Sequence, residues 1–203
     1  TTLRGGGAVT LQLLVLKWAD VNLGLSLSKA AVMQGVTGLG IAVGAAAAAA
    51  WIPLRGSLRV LPVGIVTGAV AIAMAFYSKG LFPAGMGIRI GPLVAPVYIV
   101  LAYPLMILLG GLSGFFIVPM NAILQHRGAT LLSAGHSIAV QNFNQNLAVL
   151  LMLGAYALML TAKVPVQWII VVFGTFITFM MWLARRRSLM NARKVDMRAL
   201  IEE

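Results

Sequence analysis

Six long apolar runs separated by short polar breaks decide what this chain can fold into. They lie at Thr2 to Leu25, Ala30 to Ile52, Val60 to Tyr77, Leu93 to Val118, Leu131 to Ala162 and Val166 to Ala184. A helix needs about 20 mostly apolar residues to cross a bilayer, and in hydrocarbon it satisfies every backbone donor and acceptor within its own segment. The separators "SLSK", "PLRGSLR", "SKGLFPAGMGIRIGP", "QHRGAT" and "KVP" are too short to hold a domain. The expectation is an all-α membrane protein with six transmembrane helices over residues 1–184 and a basic tail over 185–203. The chain opens "TTLRGGGAV", already within an apolar run and without a starting Met, so it reads as a fragment whose first helix is truncated.

Only 9% of the residues are charged against 61% hydrophobic, where a soluble domain carries roughly 25% charged residues. The net charge of +11 raises nucleic acid as a partner. The basic residues, however, flank apolar runs as topology signals do and form no aromatic-interleaved groove, so no nucleic-acid partner is expected. With six spans, Arg55, Arg59, Arg127, Arg185, Arg186, Arg187, Arg193, Lys194 and Arg198 fall on one side. Lys29, Lys79, Arg89 and Lys163 fall on the other. Cytoplasmic loops retain Lys and Arg, which predicts a cytoplasmic C-terminus. Trp18, Trp51, Trp168 and Trp182 all lie near the ends of runs, where the headgroup layer suits an amphipathic ring. Lys17 and Asp20, three apart near the outer end of the first run, are expected to pair or snorkel.

Three glycine pairs, Gly40 and Gly44, Gly64 and Gly68, and Gly110 and Gly114, have the G-x-x-x-G spacing that lets a neighbouring backbone approach one helix face. Pro96, Pro104 and Pro119 lie in or at the ends of the fourth run, where each removes a backbone donor and favours a bend. These features predict a closely packed bundle.

The stretch "AGHSIAVQNFNQN" departs from this pattern. Gln141, Asn142, Asn144, Gln145 and Asn146 crowd into six positions of the fifth run. At 100° per residue, Gln141, Asn144 and Gln145 share about 100° of arc, and Asn142 and Asn146 widen the sector. Ser133 and Ser137 continue the stripe. Such a face either lines an aqueous or ligand-filled cavity or bonds to neighbouring helices, because an unpaired amide in hydrocarbon costs a few kcal/mol. Gln12 in the first run poses the same choice.

Enzyme chemistry has little to stand on. The four acids are Asp20, Asp196, Glu202 and Glu203, cysteine is absent, and the two histidines, His126 and His136, have no carboxylate nearby. No catalytic carboxylate pair, nucleophile set, metal site or cofactor site can be assembled from these. A site that binds without covalent chemistry describes a carrier.

The stretch "GFFIVPMNAILQHRG", Gly114 to Gly128, followed by "SAGHSIAVQNFNQNLAVLLMLGAY", Ser133 to Tyr156, resembles the bacterial lysophospholipid transporter family of the major facilitator superfamily. Weaker similarity reaches back through "GAVTLQLLVLKW" and "GIAVGAAAAA". The resemblance implies one half of a twelve-helix carrier, helices 7 to 12, whose N-terminal six-helix half is missing here. It also implies a lysophospholipid substrate such as lysophosphatidylethanolamine. That lipid would move from the outer to the inner leaflet of the bacterial inner membrane by alternating access, for reacylation by an acyltransferase partner. Gln12, Gln141, Asn142, Asn144, Gln145 and Asn146 are then the candidate headgroup contacts. The family pattern can carry an Arg at the position of Gln12 and an acid at that of Gln145; both are neutral here, so neither leaves a charge unpaired. Two other readings share the sequence features: a facilitator exporting amphipathic drugs or other small solutes, and a non-transporting membrane module that positions an acyltransferase.

Overall fold

The computed structural model describes residues 14–83, 86–90, 93–131 and 134–201. A first helix, α1, covers 14–23, and α2 spans Leu27–Trp51. A 3-10 turn over Leu54–Val60 leads into α3, Leu61–Ala75. The hairpin strands β1, Gly87–Ile90, and β2, Leu93–Pro96, precede α4, Val97–Leu131. Helices α5, Ala134–Thr161, and α6, Val166–Ile201, complete the order. Among the described residues five helices are long and apolar enough to cross a membrane, and α1 adds the described part of the first apolar run. Exposed Leu39, Val43, Leu150, Leu158 and Phe176 give the outer surface the apolar character that lipid requires.

Close contact between α2 and α4 organises the bundle. A Cβ added at Gly40 would strike the Ile107 carbonyl and one at Gly44 the Gly111 carbonyl. From the other side, a Cβ at Gly110 would strike the Thr37 carbonyl and one at Gly114 that of Ile41. Both expected pairs therefore face each other, backbone against backbone. The third pair lies on α3, where Gly64 sits against Phe116 of α4 and Met181 of α6 and Gly68 meets α6. A Cβ on Gly68 would collide with the Thr178 hydroxyl and come within 3.0 Å of the Gly174 carbonyl. Hydroxyls in these helices are satisfied locally: Thr37, Thr67, Ser113 and Thr178 each donate to the carbonyl four residues earlier.

Two apolar clusters mark the ends of the bundle. Val60, Leu61 and Phe116 pack with Ile52, Met120, Met181 and Ala184 at one end. The larger core joins Trp18, Leu23, Met33, Met74, Met106, Met152 and Ile169 toward the other. There, buried Asn22 donates from Nδ2 to the carbonyls of Ala75 (3.3 Å) and Tyr77 (3.1 Å). The Tyr77 hydroxyl donates to the Tyr98 carbonyl at 2.7 Å. These bonds tie α1, the exit of α3 and the start of α4 together. The segments bearing Arg55, Arg59 and Arg185–Arg187 therefore share the first end, and those bearing Lys29, Lys79 and Lys163 share the second.

Several expectations change. Trp18 is fully buried in the core, with its ring centroid 6.2 Å from that of Tyr77, instead of standing in the headgroup layer. It belongs to the buried row Leu14, Trp18, Asn22 on α1, while Lys17, Asp20 and Val21 face outward. Trp51 and Trp168 are exposed near helix ends; Trp182 is exposed too but lies within α6, which runs on to Ile201, and the Arg186 guanidinium sits 5.6 Å from its ring centre. The fourth run does not begin as a helix at Leu93, because β2 pairs antiparallel with β1, Gly87 opposite Pro96 and Ile90 opposite Leu93. Pro96 holds the residue before it extended, and the helix starts directly after. It then continues through Pro104 and Pro119 to Leu131, thirteen residues past the expected end at Val118. Spans tolerate proline where neighbouring groups re-satisfy the freed carbonyl. The tail over 185–201 continues α6 as helix.

The packing makes a direct prediction. Gly44→Leu or Gly110→Leu should force α2 from α4 and destabilise the detergent-solubilised protein by about 1–3 kcal/mol or more. Gly35→Ala and Gly38→Ala, where nothing lies within 4 Å, should be neutral or slightly stabilising. Thermal unfolding followed by size-exclusion chromatography reads both; a Gly44→Leu protein with the wild-type midpoint would count against this contact.

Candidate functional site

Of the six predicted contacts, Gln12 lies outside the described residues. The other five sit on α5 as one uninterrupted helical stretch, as their periodicity requires. The structure divides them. Gln141 and Asn144 are half-buried, whereas Asn142, Gln145 and Asn146 are exposed.

The division follows from how α5 is seated. Its second half is fixed by buried Ala148 and Met152, with Ala155, Tyr156 and Met159 packed partly against the same core. Ala148 and Met152 project within about 20° of Gln141 around the helix, so the inward face of α5 begins in amides and ends in apolar side chains. Across 138–147 no side chain is buried. The first half of α5 thus presents a polar sector, Asn142, Gln145 and Asn146, that no described helix covers. Phe143 and Leu147 are exposed beside it.

Carboxamides on such a face offer donors and acceptors together without a fixed charge. At 1.5 Å per residue they lie about 10 to 18 Å along the helix from Ala134. Ser133 lies outside the described residues, and the side chains of His136 and Ser137 are not described. His126 is exposed near the end of α4.

A second feature lies toward the other end of α5. Lys17 Nζ and Asp20 Oδ2 form the expected ion pair at 3.2 Å, with the two side chains 46% and 58% exposed. They line an open cleft of about 330 Å³ with Leu16, Leu27 and Tyr156. Tyr156 had no signal in the sequence beyond its place in an apolar run. Only the fold brings it to the ion pair.

Comparison with known proteins gives this geometry a context. The chain is 37% identical over 191 residues to the lysophospholipid transporter LplT of Escherichia coli O9:H4 (strain HS). It is 36% identical over 191 residues to proteins of the same name from Escherichia fergusonii and Shigella boydii serotype 4. Each match takes in 92% of this chain and 43% of the relative, so the chain spans less than half the length of these curated relatives. No family model matches the chain. No solved structure matches it. Over the stretch they share, the chain belongs to the lysophospholipid transporter family.

Proposed function

We propose that the chain is the second half, helices 7 to 12, of a major-facilitator-type carrier that moves lysophospholipids from the outer to the inner leaflet of a bacterial inner membrane by alternating access. The observation that carries this reading is the amide sector of α5, Asn142, Gln145 and Asn146, which no described helix covers, on a chain otherwise suited to lipid. Three amides facing hydrocarbon unpaired would each cost a few kcal/mol. Their counterparts are therefore the other half of the carrier, water, and a polar headgroup passing between. A zwitterionic headgroup exchanges its hydration for such donors and acceptors, while its single acyl chain stays against apolar surface such as Phe143 and Leu147. Gln141 and Asn144, turned toward the bundle, set the orientation of the face more than they touch the substrate.

Nine basic residues on one side against four on the other orient the C-terminus toward the cytoplasm. A reporter active only in the cytoplasm should accordingly be active when fused after Glu203 and silent when inserted between Leu81 and Met86. The reverse pattern would invert the map and the direction of transport with it.

The site is tested on the complete carrier in vesicles, with labelled lysophosphatidylethanolamine and an amphipathic drug in parallel. Saturable uptake of the lipid and not of the drug is expected. If Gln12 and Gln145 meet across one cavity, Gln12→Arg and Gln145→Glu should each impair uptake by stranding a charge. The double substitution should restore it, with a favourable coupling energy on the order of 1 kcal/mol or more. Strictly additive losses would separate the two positions.

A further inference from the structure

The cleft at Lys17, Asp20 and Tyr156 has a chemistry that the amide face lacks: fixed charges of both signs, held side by side. Charged side chains within apolar runs are expensive and rare, and Asp20 is the sole acid in the chain before Asp196. The pair is half-exposed, so its contribution to stability is small. Stability therefore does not account for keeping both charges. Each retains coordination free for a ligand, since an ammonium has three donors and a carboxylate about four acceptor sites. Lys17 lies six residues before Leu23, the last residue of α1, or about 9 Å from that helix end. A cation so close to a helix end is within reach of the polar layer that its long side chain seeks.

The surroundings fit a lipid headgroup. Leu16 and Leu27 flank the charges with apolar surface, and Tyr156 of α5 lines the same cleft. Tyr156 is eleven residues beyond Gln145, which places it within about 20° of Gln145 around α5 and about 16 Å further along. The cleft and the amide face are thus two levels on one side of one helix.

We propose that this cleft is the docking site for the zwitterionic headgroup of a lysophospholipid, with Lys17 on the phosphate, Asp20 on the ammonium and Tyr156 beside the glycerol. The assignment rests on the transport reading above and names an outer-end site for the same substrate, distinct from the amides. The two charges match a phosphoethanolamine in sign and order, and the resident ion pair is the stand-in that the headgroup displaces.

The test uses the complete carrier in phosphatidylglycerol vesicles, with and without diacyl phosphatidylethanolamine. Lys17→Gln with Asp20→Asn should raise the KM for lysophosphatidylethanolamine about tenfold, the loss of roughly one charge-assisted contact, with Vmax and membrane abundance little changed. Asp20→Asn alone leaves Lys17 without its counter-charge and should shift preference several-fold toward anionic lysophosphatidylglycerol. In a cysteine-free background, lysophosphatidylethanolamine should slow maleimide labelling of Tyr156→Cys and leave Ile88→Cys on the hairpin unaffected. This second readout stands if a charge variant fails to assemble. Unchanged KM and preference in variants that still transport, or labelling at position 156 indifferent to the lysolipid, would overturn the assignment. Protection already complete with diacyl phosphatidylethanolamine would also overturn it, making the cleft a site for bulk lipid. Wild-type vesicles without any uptake would sink the transport reading, while the labelling experiment would still decide whether the headgroup docks.

Discussion

The backbone contact between α2 and α4 is the constraint on which the rest of the bundle depends. Inside a bilayer, lipid tails are as apolar as leucine, so burying apolar surface between helices gains little; dispersion at close range and small residues take its place. Gly40, Gly44, Gly110 and Gly114 bring carbonyls of each helix to where side chains of the other would begin. With α4 fixed in this way, the first turns of α3 pack beside it through Leu61 and Phe116. A second small-residue contact, Gly68 against Gly174 and Thr178, then carries α6 on α3. The first contact tolerates no methyl group without a shift of main chain, and the second none without displacing the Thr178 or Ile72 side chain, which gives the scaffold a defined geometry instead of a range of crossings.

The chemistry sits on the helix least tied to that scaffold. Among the described side chains of α5, burial begins only at Ala148, so the amides occupy a stretch that no described helix covers. At the opposite level, the Lys17 and Asp20 pair lies on the outward side of α1, back to back with the Trp18 and Asn22 row that locks into the core. One face of α1 supplies order and the other supplies charge. These polar features thus border the packed core of the fold, and their settings are fixed by it without being buried in it.

Much of this was legible in the sequence, for identifiable reasons. Apolar length located the spans because hydrocarbon thickness sets it, and G-x-x-x-G spacing located the helix contacts because a four-residue step returns to the same face. The Lys17 and Asp20 pair followed from helical spacing alone. Other features depend on tertiary partners and left no local trace. Trp18 lies near the end of a run, but so does the core at that level, and only its row with Leu14 and Asn22 settles the side it takes. The hairpin at Gly87–Pro96 lies in a stretch read as separator and helix start, since four-residue strands show little periodicity. Which amides turn inward depends on Ala148 and Met152 further along α5, whose small and flexible side chains give no hint of burial against the apolar residues around them.

Helix α6 has a mechanical consequence. Its 36 residues span about 54 Å, against a hydrocarbon thickness of about 30 Å, and the arginines at 185–187 fall where the excess begins. The remaining helix is a rod of about 24 Å continuous with the span, registered at the surface by the Arg186 and Trp182 contact. Any rotation or tilt of α6 within the membrane is transmitted to the far end of that rod without loss at a joint. A small change of angle in the bundle becomes a displacement of several ångströms at its tip, so the end of this helix is a natural pointer for reporting movement of the bundle from outside the bilayer.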